Sequence, residues 1–491
     1  MSEPAGLVTR HAVRFEPDPS RVITQLFVPG EERLETRSRA TSLVRRVAAL
    51  PESTVHSLLE DVLAGFSGRH RDLEGVLIQN ASIVSHRLVD PDSLSPQRRL
   101  LLGAYFTHEY AVEAAALCNP SLMVHPDQDG LAPGELRVAL SLRAIGEGHI
   151  SSLGFATGVV GPHLHCRWDA RTGPLSTAER QPSSWDGAWL RAALTHAGRD
   201  DEVTATVISS LPEPFDQHDL DRVLASLPAS LLEHLGTVGT VPSIRELAAA
   251  AYTVRFADDT QIAQRVLWPI GAGEGHGMED ARFVSFTADD GATGYRATYT
   301  AYSGSGVAPR LLESADLLTF RSSALTGPAA RNKGMALFPR TVRGRHLALC
   351  RGDGETMSLA ASDDGRWWDD EVPLHGPTAA WELMQVGNCG SPLETPAGWL
   401  VLTHGVGPMR TYAIGALLLD LEHPSRVIAT LPGPLLVPDA DERDGYVPNV
   451  VYSCGGLIHD GTLWMPYGSS DARVSLASVR VEELLAQLAP S

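Results

Sequence analysis

Several stretches in the second half of the sequence gather carboxylates, cations and glycines at spacings that could do chemistry. Gly271–Arg282 (GAGEGHGMEDAR) sets Glu279, Asp280 and Arg282 behind four glycines. Glycine lets a backbone turn sharply and approach a ligand, and an arginine beside an acid fixes its ionisation state. The same residues also suit a turn carrying a structural ion pair. Arg310 follows, then Arg331-Asn332-Lys333-Gly334, then Cys350-Arg351-Gly352-Asp353. Cations beside glycines at loop-like positions fit an anion pocket, and equally a solvated surface. Leu402-Thr403-His404-Gly405 puts a histidine at the end of an apolar run, with Tyr412 eight residues on. In the company of two or three cations such a histidine can donate to phosphate. Glu442–Tyr452 and Tyr467-Gly468-Ser469-Ser470-Asp471 add carboxylates on glycine-rich turns.

Other chemistries fail on their motifs. There is no GxxxxGK[ST] loop, no HExxH and no GxSxG elbow. GAGEGHG lacks the GxGxxG spacing, and a strand-like stretch follows it rather than a helix. His163-Leu164-His165-Cys166 has no second Cys/His pair at ligand spacing, so no metal is expected. The 40 Lys+Arg against 59 Asp+Glu give a formal charge of −19, which argues against a nucleic-acid partner. Five scattered cysteines (118, 166, 350, 389, 454) form no CxxC and read as buried thiols in a reducing compartment. No apolar run is long enough to span a membrane, and the first residues lack a signal-peptide core. The expectation is a cytoplasmic protein with no membrane partner.

The elements that must hold these residues are mostly strands. Residues 1–115 lean helical, with apolar spacing over 45–63, a restart at Pro51, and one helix expected over 96–117. From Cys118 short β-like runs alternate with Gly, Pro and Asp turns. A helical stretch interrupts at about 170–250, and a short helix is expected at 479–488. Leu312–Asp316 resembles Leu359–Asp363, with Ser314 and Ser362 48 residues apart, a loose period that suggests propeller blades and leaves a β-sandwich open.

The ordered motifs NPS, EDAR, NKGMALFP, GSPLET, GWL, THG, GALLLDL, GYVPNVVYSCG and YG..D, from Asn119 to about residue 478, resemble glycoside hydrolase family 130, the β-mannoside phosphorylases and related mannosidases. The resemblance implies an all-β fold, a five-bladed β-propeller over 116–491, here with a helical N-terminal extension (1–115) and a helical insertion. It implies that Asp280 is the general acid, with Ala281 standing where the family has proline. It implies a phosphate site of Arg310, Lys333, His404 and Tyr412, with Arg351 the rival of Arg310. Asn119, Ser121, Arg143, Glu279, Arg282, Arg351, Asp353 and Asp471 are the expected sugar-contacting residues.

The implied reaction is inverting phosphorolysis: β-mannosyl-R plus phosphate gives α-mannose 1-phosphate plus R. Inorganic phosphate is the co-substrate and no cofactor is required. The resemblance implies an acid that acts through the 3-hydroxyl of the mannose and need not touch the glycosidic oxygen. Hydrolysis by a β-mannosidase is the alternative, and it needs a second carboxylate to activate water. A propeller that only binds glycans is a further alternative. The helical extension is expected to serve as extra packing or as a homo-oligomer interface.

Overall fold

The computed structural model describes residues 6–30, 38–88, 90–233 and 235–490. Residues 1–5, 31–37 and Val89 of the expected N-terminal extension, His234 of the expected insertion, and Ser491 lie outside them. The chain is mostly β, with two helical clusters set apart from the sheets.

Five antiparallel meanders follow one another along the chain. The first runs Ala116–Val124, Leu136–Ile145, Ser151–Val160 and Cys166–Trp168. The second runs Gly277–Thr287, Thr293–Tyr302, Val307–Ser314 and Thr319–Ala324, extended by Tyr252–Arg255. The third is Ala336–Leu337, His346–Cys350, Met357–Ser362 and Val372–His375. The fourth is Gln385–Asn388, Gly398–Val406, Tyr412–Leu419 and Val427–Thr430. The fifth is Val451–Tyr452, Thr462–Ser469 and Arg473–Arg480, completed by Thr9–Phe15 from the start of the chain.

Hydrogen bonds join each meander to the next. Phe283 N–H donates to Ser121 Oγ (3.0 Å), Thr287 N–H to Pro339 O (2.8 Å), Val386 N–H to Glu355 O (3.0 Å) and Tyr412 N–H to Asn449 O (3.0 Å). Leu117 N–H donates to Ala472 O (3.2 Å) and returns the series to its first member. Strands such as Gly398–Val406 (GWLVLTHGV) are buried at every residue, as continuous apolar runs between packed layers must be.

The 48-residue echo has a local cause. Ser314 Oγ accepts from Leu317 N–H, and Asp316 Oδ1 accepts from Leu318 and Thr319 N–H. Ser362 Oγ accepts from Gly365 N–H, and Asp364 Oδ1 from Arg366 and Trp367 N–H. The same side-chain-to-backbone turn closes the same hairpin in two successive meanders.

The helices depart from the sequence reading in two places. Arg39–Ala48, Glu52–Phe66, Leu73–Ser85 and Pro96–Tyr105 pack around Val44, Val55, Ala81, Leu101 and Phe106. Pro51 marks the break between the first two. The helix expected over 96–117 stops at Tyr105. Thr107–Ala111 is a strand paired with Val22–Leu26, and Ala116 opens the first meander. Tertiary contacts override the helix propensity of this Ala-rich stretch. Glu113 is 1% exposed and ion-paired with Arg21 (2.9 Å) and Arg171, while Tyr110 and Val112 pack on Ile23 and Val266. The N-terminal segment is therefore not wholly helical, since Thr9–Phe15 belongs to the fifth sheet.

The insertion carries Gly187–His196, Glu202–Ser210, Gln217–Ala225, Ala229–Leu232 and Thr240–Ala250 around its own apolar core of Trp189, Leu190, Val207, Leu220 and Ile244. The closing helix is Val481–Gln487. Among the described residues no helix is long and apolar enough to cross a membrane.

Candidate active site

Glu279 and Asp280 sit near the start of Gly277–Thr287, where the pairing register slips between Glu279 and Arg282. Strict alternation would send adjacent side chains to opposite faces. Here Asp280 takes a left-handed backbone (φ 56°) within the bulge, and both acids turn to one cation. Arg143 donates through Nη1 to Asp280 Oδ1 (2.9 Å), through Nη2 to Glu279, and through Nε to Ser151 Oγ (3.0 Å). Lys333 Nζ lies 2.5 Å from the other oxygen of Glu279 and 5.7 Å from the ring of Tyr302. Ala281 is buried in the bulge. Asn119 repeats the device, with φ 47° at the register slip of Ala116–Val124.

Arg282 joins this acidic pair to a second cluster. Its Nη1 donates to Asp280 O (2.9 Å) and its Nη2 to Tyr452 Oη (2.8 Å). Tyr452 packs on His404 (ring centroids 4.8 Å), and Tyr412 stacks on the same ring at 6.1 Å and 14°. Arg351 Nη1 lies 3.0 Å from His404 Nε2. A guanidinium can only donate, so His404 is neutral, with its proton on Nδ1. Gly387 makes this approach possible, because a Cβ there would stand 2.7 Å from the His404 ring. Arg351 Nε, His404 Nδ1 and both amide atoms of Asn388 are buried without a hydrogen-bond partner among the described residues. Apolar cores avoid such concentrations of unmet polar groups.

The charges shift one another. Burial alone would raise the Asp280 pKa, but Arg143, Arg282 and Lys333 outweigh it and hold the carboxyl below its ordinary range. Asp471 goes the other way. Burial lifts it to about 6 against the pull of Arg143, with Asp280 adding to the rise and Arg410 opposing it. His404 is driven well below its usual value by burial and then by Arg351 and Arg282. Four cations, Arg143, Arg282, Lys333 and Arg351, thus stand around the carboxyls of Glu279, Asp280 and Asp471, in a protein whose net charge is −19.

The structure gathers Arg143, Glu279, Asp280, Arg282, Lys333, Arg351, His404, Tyr412 and Asp471 into one neighbourhood. Three expected residues spend their polar atoms elsewhere. Arg310 does not join the other cations: its Nη1 and Nη2 donate to Ala250 O (2.5 Å) and Ala272 O (2.6 Å), tying the insertion to the Gly271 turn. Its rival Arg351 takes the place beside His404. Ser121 is fully buried, with its hydroxyl spent on the Phe283 backbone. Asp353 caps its own turn by accepting from Glu355 and Thr356 N–H (2.8 Å each).

Sequence reasoning passed over Tyr302, Asn388, Arg410 and Tyr452. Tyr302 and Asn388 end strands that pair with the strands of Glu279 and His404, Tyr452 ends the strand paired with the one that leads to Asp471, and Arg410 lies two residues before Tyr412; such pairings were not readable from local spacing. Among the described residues no group of three or more His, Cys, Asp or Glu is placed to hold a metal ion. The arrangement suits a small anion held by cations and hydroxyl or imidazole donors next to a paired carboxylate.

These features define a mostly β protein with a cation-lined acidic centre. Residues 254–489 match the family model described as β-1,4-mannooligosaccharide phosphorylase. A 1,2-β-oligomannan phosphorylase of Thermoanaerobacter sp. (strain X514) is 37% identical over 155 residues, 31% of this chain and 52% of that protein. A β-1,2-mannobiose phosphorylase of Listeria innocua is 32% identical over 231 residues, 45% of this chain and 63% of that protein. The chain thus spans between half and two thirds of these relatives' lengths. The solved structure of the β-1,2-mannobiose phosphorylase from Listeria innocua in complex with β-1,2-mannobiose aligns with a TM-score of 0.44 at 20% identity, covering 76% of this chain and 92% of that one.

Proposed function

We propose that this chain is an inverting β-mannoside phosphorylase, converting β-mannosyl-R and phosphate to α-mannose 1-phosphate and R. The observation that carries the reading is the meeting of Lys333, Arg351, His404 and Tyr412 with the Arg143–Glu279–Asp280 cluster through Arg282. The matched relatives, named as mannoside phosphorylases, support it. We further propose that the five linked meanders are the blades of a five-bladed β-propeller with this cluster at its centre, and that the five free cysteines belong to a cytoplasmic protein.

Inverting cleavage needs a proton on the leaving oxygen and a nucleophile on the opposite ring face. Phosphate is already nucleophilic, so the protein must chiefly hold it in line with charge-assisted bonds. Lys333, Arg351, His404 and Tyr412 are proposed to do that. Asp280 is proposed as the proton donor, yet the cations around it keep it ionised before substrate arrives. A phosphate settling beside Lys333 cancels part of that cationic field and raises the Asp280 pKa. Its dihydrogen form also brings a proton. Asp471 and the Arg143–Glu279 pair are left to receive sugar hydroxyls, which are the chain's proposed partners together with phosphate.

A second reading, hydrolysis of the same bond, is favoured by the opposed shifts of Asp280 and Asp471. Two carboxyls pushed apart in pKa are the usual signature of a base and an acid. Initial rates on β-1,2- and β-1,4-mannobiose with and without phosphate separate the readings. α-Mannose 1-phosphate supports phosphorolysis, free mannose at a phosphate-independent rate supports hydrolysis, and silence on both with bound sugar leaves a glycan-binding protein.

A further inference from the structure

The geometry points to a second sugar-binding site, formed between the helical insertion and the second meander, that takes the distal units of β-mannan chains longer than a disaccharide. This inference rests on the mannoside reading above.

A cavity of about 400 Å³ lies there, with helices Gly187–His196 and Thr240–Ala250 on one side and Val307–Arg310, Ala324–Thr326 and the 330–332 loop on the other. That is ligand-pocket size. The two walls are fixed to each other. Gly327 N–H donates to His196 Nδ1 (3.2 Å), and Arg310 holds the Ala250 carbonyl at the end of the insertion's last helix. The cavity also adjoins the proposed active site. Asn332 lines it and directly precedes Lys333, whose Nζ reaches Glu279. Val307 lines it too and pairs with Tyr302, the residue whose ring faces Lys333.

Its chemistry selects the ligand class. Leu247, Pro309 and Leu325 offer apolar contact, while Ser243, Glu246 and Asn332 offer hydrogen-bonding groups. Sugars present the same mixture of C–H faces and hydroxyl edges. An anion finds little here. The two Nη atoms of Arg310 are spent on backbone carbonyls, and Arg331 is ion-paired with Glu371 (2.7 Å). A neutral oligosaccharide entering beside Lys333 would run its far end into this space.

The test compares β-1,2- and β-1,4-linked mannobiose, mannotriose and mannotetraose, by titration calorimetry and by phosphorolysis, on the full chain and on Ser243→Trp and Glu246→Gln. Ser243→Trp fills the cavity, and Glu246→Gln keeps the shape while removing a charged acceptor. The wild-type chain should prefer the tetraose over the biose by ~10-fold or more in affinity and kcat/KM. Both variants should lose most of that preference while their biose values stay within ~2-fold. A wild type with no length preference overturns the proposal, and so do variants that keep it or that lose biose and tetraose alike. If the sugars bind with the length preference but are not cleaved with phosphate, the phosphorylase reading fails while the calorimetric comparison still upholds this site.

Discussion

Replacing Lys333 with alanine isolates the anion-holding step. Its ammonium stands 2.5 Å from Glu279 and its side chain is 36% exposed, so the pair contributes little to stability, ~0.2–1 kcal/mol. Arg143 remains to hold Glu279, and the fold should be unaffected. Phosphate is different, because it must leave water and be fixed on one face of a sugar ring. A charge-assisted bond to it is worth ~1.5–3 kcal/mol. At ~1.4 kcal/mol per factor of ten, its loss should lower kcat/KM for phosphate by ~10–100-fold. The assay is initial-rate release of α-mannose 1-phosphate across a phosphate series at saturating mannoside, with a thermal melt as control. Any residual hydrolysis should be unchanged, since it has no anion to hold. An unaltered phosphate dependence in a folded Lys333→Ala protein would refute the placement of phosphate at this lysine.

Other expected outcomes follow from the same geometry. Asp280→Asn should fold normally and lose ~10²–10⁴-fold in turnover, read as kcat on the best mannobiose; near-normal turnover removes Asp280 from the mechanism. Arg310→Met should leave the phosphate KM unchanged but lower the denaturant midpoint, because two buried carbonyls lose their donors at ~1–3 kcal/mol each. A raised phosphate KM with unaltered stability would restore it to the anion site. Asp471→Asn should stabilise the protein at pH 8 on the order of 2 kcal/mol and do so much less at pH 4. The Asp471 pKa is raised to about 6, so its contribution is present below its ordinary value of 3.8 and is lost as pH rises through 6. Equal stability changes at both pH values would contradict the shift.

The acidic pair, the histidine and its cations were legible in the sequence because glycines and charges mark them. The hydrogen-bonded turns at Asp316 and Asp364 gave the 48-residue echo its regularity. Arg310 and Arg351 could not be told apart in this way, since both are arginines in glycine-bearing β-stretches. What separates them is the Ala250 carbonyl, donated by a helical insertion that no local pattern places against Arg310. The partner of Ser121 was hidden for a similar reason: its hydroxyl bonds a strand 162 residues away. The stretch 106–117 looks helical because its alanines favour a helix, and the distant partners of Glu113, Tyr110 and Val112 show why it forms two strands joined by a turn instead.

The strand Thr9–Phe15 pairs with Arg473–Arg480, so Thr9 lies opposite Ser478. A ribosome releases residue 9 long before residue 478. Until then Thr9–Phe15 has no edge to join, and the last sheet lacks its outer strand. Contacts of such sequence separation form late and slowly. Until the two strands pair, Thr9–Phe15 and then the newly made Arg473–Arg480 present open N–H and C=O groups to any neighbouring chain. A version shortened by its first twenty residues would keep every residue of the acidic centre and still expose this edge permanently. Its defect would then be aggregation rather than altered chemistry.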